Sequence, residues 1–335
     1  MRTPRSSIQL DGVLDDPTLV PQLVREHAPY WPVYRYFADA NELRASGAPV
    51  EDPSRPMRVP PWFRGDWAGD QTRVPGIEPI LDNPVFDRVA RELYGLSDEA
   101  VVRQQLVYVN LTLPMPVVDY GHTDVPAFRG INRREFPIWL LSVMGHSELF
   151  EPWRIRIATV VSWWYEGEGG EFTYWPDGPD AAPRVVPPRT NTAIAGENEI
   201  MFHRVEGVGR DTTQGRFDGL TVDAKLVADG DEWLVMDAER ALARVPFGEA
   251  RISVSWKAEV FADTAEAEAV DRHSDDLTLE QVCSVFLADL ERRGVTAEVA
   301  DDPLHDSSFI ATLSDVYPRS PTVFPDLSSD ASGTA

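Results

Sequence analysis

The chain has a single cysteine, Cys283, and only two of its 31 basic residues are lysines, Lys225 and Lys257. One cysteine excludes an intramolecular disulfide and fits a reducing, cytoplasmic setting. No run reaches the roughly eighteen consecutive apolar residues that a membrane-crossing helix needs. The opening segment, MRTPRSSIQLDGVLDD, has basic residues but no apolar run behind them, so no secretory signal is read there. Positive charge is also scarce against negative: 55 Asp and Glu give a net charge of −24. Such a surface repels phosphate backbones and anionic headgroups, so neither nucleic acid nor a membrane is expected as a partner. The same charge is an ordinary means of staying soluble.

Apolar residues are plentiful. They make up 43% of 335 residues, with ten Trp, which suffices for a sizeable core. Leu19, Val20, Leu23 and Val24 recur at helical spacing, predicting a helix from Thr18 to about His27 with Pro21 in its first turn. The proline-rich stretch Gly47 to Pro61 reads as a loop. Asn83 and Pro84 supply an N-cap and a first-turn proline for a helix to Tyr94, with Val85, Val89 and Leu93 as its buried stripe and Gly95 as its stop. From Val101 the character changes to strands, at Arg103 to Leu113, Ile155 to Tyr165, TNTAIAG, EIMFHRV and ARISVSWKAEVF. A late helix is capped by Thr278 and stops at Gly294.

Many short strands with turn punctuation predict a mainly β fold with flanking helices, a sandwich or jelly roll. Residues 1–100 are expected to form a helical and loop region packed on the core. The core is expected over 101–265, with an insertion at 209–248. A C-terminal helical extension follows over 266–320, and 321–335 is expected to be a disordered tail.

His122 and Asp124 stand two apart on an extended segment, so their side chains point to the same side and can reach one metal ion. His-x-Asp alone is weak. His203 follows 81 residues later inside an apolar strand, where a histidine is ordinarily a core residue. A third ligand from a distant strand is nonetheless what a facial site requires: two His and one carboxylate leave three open positions on iron(II). Zinc also accepts three N/O ligands and a water. His27, His146, His273 and His305 read as surface or structural. Arg251 and Ser253 share a strand face, and a guanidinium fork matches a carboxylate. Arg210 and Arg216 are rivals because they follow His203 more closely.

Four segments occur in order: Tyr120-Gly121-His122-Thr123-Asp124, Gly169-Gly170-Glu171-Phe172, Phe202-His203-Arg204-Val205-Glu206 and Arg251-Ile252-Ser253. With them the chain resembles the iron(II)/2-oxoglutarate-dependent dioxygenases, in particular the prolyl 4-hydroxylase-like branch. The resemblance implies a double-stranded β-helix (jelly roll, cupin-like) core. It also implies iron(II), 2-oxoglutarate and dioxygen as cofactor and cosubstrates. His122, Asp124 and His203 would then hold the metal, and Arg251, Ser253 and Tyr108 the cosubstrate. One departure stands out: Arg251 lies 48 positions after His203, farther than the family pattern, which points to a hairpin-like insertion between them. A carboxylate at position 124 disfavours halogenation, for which the family carries a small residue there.

Phe128 and Arg129, in the loop after the triad, and Trp164 are expected to contact substrate. Arg129, Arg133 and Arg134 would suit an acidic group on it. The expected activity is hydroxylation of a small molecule such as an amino acid or natural-product intermediate, in an enzyme that could pair as a homodimer. Desaturation or cyclisation by the same chemistry, a cupin-like metal binder without turnover, and a zinc hydrolase stay open as alternatives.

Overall fold

The structure, a computed structural model, describes residues 2–36, 59–117, 121–210, 217 and 219–318. Most of the proline-rich segment from Gly47, the rival Arg216, Tyr120 of the first motif and the expected tail at 321–335 lie outside these residues. The strands are β1 (Ile8–Asp11), β2 (Trp31–Pro32), β3 (Trp62–Ala68), β4 (Val101–Thr112), β5 (Ile157–Trp164), β6 (Phe172–Trp175) and β7 (Arg184–Val186). They continue as β8 (Thr192–Gly196), β9 (Phe202–Val205), β10 (Ala224–Asp229), β11 (Glu232–Asp237), β12 (Arg240–Pro246) and β13 (Arg251–Phe261).

Seven strands pair antiparallel in one large sheet, in the order β1-β8-β5-β13-β4-β3-β2. A small sheet, β7-β6-β9, is extended by bridges from Met115 to Val208 and from His122 to His203. From β4 onward the chain crosses repeatedly between the two sheets: β4, then Met115 and His122 at their bridges, then β5, then β6 and β7, then β8, β9 and finally β13. This alternation is the double-stranded β-helix, or jelly roll.

Alternation along the strands assigns the two faces of the large sheet. On β4, Val107, Val109 and Leu111 are buried in the main core, and on β13 Ile252, Val254, Trp256, Ala258 and Val260 join them. That core lies under α2 (Pro84–Tyr94), which follows α1 (Leu19–Glu26) in the chain. The side chain of Asn83 caps α2 by accepting from the Val85 N–H at 2.9 Å, and Gly95 ends it in the left-handed conformation at φ 65°. Phe86, Val89, Ala90, Leu93 and Tyr94 are its buried residues, while Val85 of the expected stripe is only half-buried. The odd-numbered face of β13 and the even-numbered face of β4 turn the other way, into the space between the sheets.

A second core gathers α3 (Ile138–Ser147), α5 (Leu279–Arg292) and α6 (Ser307–Val316); α4 (Thr264–Asp271) lies between β13 and α5. The α3 helix has no sequence signature because it is apolar nearly all round, and buried on several sides it shows no 3.6-residue period. The Thr278 capping box that starts α5 is present as expected.

The insertion between His203 and Arg251 holds three strands rather than a simple hairpin: β10, β11 and β12 form an antiparallel meander. It leans on the N-terminal region. Leu226 bridges Tyr30 with hydrogen bonds of 2.9 and 2.8 Å, and the Trp233 ring packs edge-on against Tyr30. The meander thus adds to the main core from outside the jelly roll, and β13 resumes the large sheet after it.

Candidate metal centre

His122 and His203 face each other across the small sheet. Each accepts the other's backbone N–H at 2.9 Å, which fixes the rings with centroids 4.5 Å apart. Gly121 makes this approach feasible. Its φ of 102° is in the region that favours glycine, and a Cβ there would fall 2.4 Å from the Phe202 ring. Asp124, two residues on, is held by its backbone N–H donating to the Asn198 carbonyl at 2.8 Å. Its Oδ1 lies 3.7 Å from His122 Nε2 and 4.0 Å from His203 Nε2. One donor atom from each of the three residues lies within 4.8 Å of the others, and among the described residues this is the cluster with metal-ligand character.

The imidazole of His203 is oriented from behind: Nδ1 lies 2.9 Å from the Met201 carbonyl oxygen. Donation there leaves Nε2 as the lone-pair nitrogen facing Asp124, as a metal-binding histidine requires. Phe172 packs against the same ring at 5.3 Å.

The second carboxylate oxygen of Asp124 is already engaged. Lys257 Nζ donates to Oδ2 at 2.7 Å and to Glu199 Oε1 at 3.0 Å. Burial alone would raise the Asp124 carboxyl, but Lys257, His203 and His122 outweigh it and hold it well below the usual carboxylate range. Burial likewise disfavours the Lys257 ammonium, and Asp124 with Glu199 more than offsets this. Glu199 itself is raised, because its burial outweighs the pull of Lys257.

These groups share a cavity of about 300 Å³ with the inward face of β13, where Arg251, Ser253, Ser255 and Lys257 follow one another at every second position. Arg251 is 2% exposed. Its Nε donates to the Gly170 carbonyl at 2.6 Å and Nη1 to Ser253 Oγ at 3.4 Å, while Nη2 is buried with no hydrogen-bond partner. Burial lowers this guanidinium to about 10, against the opposing pull of Tyr165 and Glu171, so it stays charged at neutral pH. The Gly169-Gly170 pair now has a physical reason. Both residues sit at positive φ (71° and 73°), and a Cβ on Gly170 would lie 2.6 Å from Arg251 Cδ. Tyr108 lines the same cavity from β4, with the Arg64 guanidinium 3.7 Å above its ring.

A buried cation with an unanswered donor needs an anion. The residues therefore fit an iron(II) ion on the triad and a carboxylate on Arg251 with Ser253. Arg210, the rival anchor, is 84% exposed at its side chain and paired with Glu168, so it offers no such site.

Phe128, Arg129 and Trp164, the expected substrate contacts, are not among the residues that line this cavity. Phe128 is 1% exposed and packs into the helical core against Phe150, and its backbone bridges to Ile131 and Arg154. Arg129 is tied to Asp275 by hydrogen bonds of 2.8–3.1 Å. Trp164 lies on the outer face of β5 in the main core; strand parity sends its neighbour Trp163 between the sheets instead. Arg134 pairs with Asp70 at the surface. Arg133 does line the cavity, and so does His146, read from the sequence as surface or structural. Neither Lys257, noted in the sequence only for its rarity, nor Glu199 was read there as a site residue. Counting alternate residues from Arg251 would have placed Lys257 on the cavity face.

No family model matches the chain, and no curated protein does. Among solved structures, a Pseudomonas putida prolyl-4-hydroxylase is 12% identical at a TM-score of 0.34, with 76% of this chain and 92% of that chain covered. The non-heme alpha-ketoglutarate-dependent carbocyclase SnoK from nogalamycin biosynthesis is 10% identical at 0.38, covering 80% and 86%. A Trichoplax adhaerens prolyl hydroxylase in complex with a hypoxia inducible factor peptide is 12% identical at 0.34, covering 79% and 87%. Scores this low add nothing to the strand order and donor set of the chain itself, and those two carry the assignment. The fold is a mainly β double-stranded β-helix with flanking helices. Among the described residues, no helix is long and apolar enough to cross a membrane.

Proposed function

We propose that this oxygenase-like jelly roll is an iron(II)/2-oxoglutarate-dependent hydroxylase of a small molecule, such as an amino acid or a natural-product intermediate. One observation carries the reading: the His122–Asp124–His203 cluster and the buried, under-partnered Arg251 guanidinium open into the same cavity. A metal-binding protein without turnover has no need of a second, buried anion site at that place.

Bound iron(II) supplies oxygen activation coupled to decarboxylation of the 2-oxo acid, and leaves three positions open when two His and one carboxylate hold it. The protein's part is placement. His122 and His203 would each present a ring nitrogen, and Asp124 Oδ1. Arg251 and Ser253 line the cavity as the pair that would receive the far carboxylate of the cosubstrate, and Tyr108 lines it with them. Substrate would occupy the remaining volume between Val33, Trp62, Leu106, Ile138 and Ile157, whose apolar surfaces exclude water from the reacting carbon. A cavity of about 300 Å³, at the low end of small-molecule pockets, supports a small substrate over a protein one.

The test is an anaerobic titration with iron(II) and then 2-oxoglutarate. A weak visible charge-transfer band, followed by succinate release on admitting oxygen with a substrate, is the expected result. Bound iron with no band on adding 2-oxoglutarate would overturn the reading.

A further inference from the structure

We propose that Lys257 is a positioning residue: by holding Oδ2 of Asp124 it obliges that carboxylate to meet a metal through Oδ1 alone. The inference rests on the metal-binding reading above and concerns how this chain keeps a coordination position open.

The argument is geometric. Asp124 Oδ1 faces both histidine Nε2 atoms, at 3.7 and 4.0 Å, while Oδ2 is taken by Lys257 Nζ at 2.7 Å. A carboxylate with both oxygens free can clasp a metal with both. One whose second oxygen accepts a short charge-assisted hydrogen bond presents the other alone. The ammonium is held in turn by Glu199 Oε1 at 3.0 Å, on the segment whose Asn198 carbonyl takes the Asp124 N–H at 2.8 Å. Asp124 is therefore fixed twice by residues 198–199, once through its backbone and once through the lysine.

Placement on β13 supports the assignment. Lys257 is on the cavity face, six residues beyond Arg251, so one strand bears the anion anchor and the carboxylate's partner. It is also one of only two lysines in a chain whose other cationic side chains are arginines. An ammonium is a compact point charge that fits between two carboxylates, where the broad guanidinium fork does not. The consequence is a count of positions. Three single-atom ligands leave three places: two for a chelating 2-oxo acid and one for a diatomic gas. A two-oxygen Asp124 would close the last.

The experiment uses the full chain, iron(II), 2-oxoglutarate and nitric oxide as a stable stand-in for dioxygen. Wild type is expected to give the charge-transfer band and, on adding nitric oxide, the S = 3/2 electron paramagnetic resonance signal of an iron nitrosyl. Lys257→Met keeps the stem and removes the charge; it should retain the band and lose at least tenfold of the nitrosyl signal in the presence of 2-oxoglutarate. Glu199→Gln keeps an oxygen acceptor for the ammonium and should retain the signal. An undiminished nitrosyl signal in Lys257→Met overturns the inference while leaving the hydroxylase reading intact. Absence of the band in wild type overturns the hydroxylase reading itself, and the inference with it. Should Lys257→Met bind no iron, Lys257→Leu, which also lacks a donor for Oδ2, is read in its place. Failure of both to bind iron marks Lys257 as a folding element and also overturns the inference.

Discussion

His122 and His203 exchange both of their backbone hydrogen bonds, at 2.9 Å each, although 81 residues separate them. A directly opposed antiparallel pair sets its side chains on the same side of the sheet. The metal centre is thus built into the strand register and does not depend on loop conformation. Asp124 joins from the next same-face position along the chain.

His203→Ala should therefore abolish iron binding while leaving the fold in place, because the backbone pairing survives without the ring. Iron content after anaerobic loading should fall from one per chain to background, with the far-ultraviolet circular dichroism unchanged. Stoichiometric iron in this variant would remove His203 from the ligand set.

Arg251→Leu addresses the cosubstrate. The guanidinium is buried and the Nη2 donor has no partner within the protein, so a bound carboxylate would complete it. Removing one half of such a buried charge pair costs about 3–5 kcal/mol, or roughly a hundredfold to a few thousandfold in affinity. The band titration should show that loss for 2-oxoglutarate with iron affinity unchanged. Equal 2-oxoglutarate affinity in variant and wild type would move the anchor elsewhere.

The jelly-roll strands and the triad were legible in the sequence because they depend on short-range periodicity: alternate residues share a face, and His-x-Asp obeys the same rule. Arg251 was legible only through the resemblance, since the meander of β10, β11 and β12 intervenes and no local pattern announces where the large sheet resumes. The facing of Trp164 was not legible, for a different reason. Nothing in the run Trp163-Trp164-Tyr165 says which ring points inward until β5 is paired, and the register with β13 and β8 then sends Trp163 between the sheets. The α3 helix was missed because burial on several sides erased the helical period. Lys257 drew no notice because an isolated lysine in a strand ordinarily faces water; its role depends on Asp124 and Glu199 arriving from two other segments.

Gly170→Ala should disturb the anchor without touching a charged group. The backbone is at φ 73°, and the new Cβ would sit 2.6 Å from Arg251 Cδ. Strain of about 1–3 kcal/mol is expected from the backbone alone. Displacing Arg251 should add weaker 2-oxoglutarate binding at unchanged iron stoichiometry. A lowered melting temperature together with a weakened band titration is the expected pair of results. Weakened stability with intact 2-oxoglutarate affinity would show that Gly170 serves the turn and not the arginine.

The helical extension offers a prediction about pH. Asp289 is buried on α5, where its Oδ2 accepts from Tyr317 Oη at 2.5 Å and from Arg293 Nε at 2.6 Å, and Arg292 bonds its other oxygen. Burial raises this carboxyl, but the hydrogen bonds from Tyr317 and Arg293 and the charges of both arginines outweigh it, so it lies below the ordinary 3.8. A depressed carboxylate pKa contributes stability that is present above the unfolded value and is lost as pH falls through the folded one. Asp289→Asn keeps the shape and removes the charge, and should destabilise by about 1.5–3 kcal/mol at neutral pH, the usual range for hydrogen bonds to a charged group. The difference in melting temperature between variant and wild type should be full near neutrality and shrink as pH drops below 3.8, because the wild-type carboxylate is then being protonated. A difference that holds constant down to that acidity would show that the residue acts through its shape and not its charge.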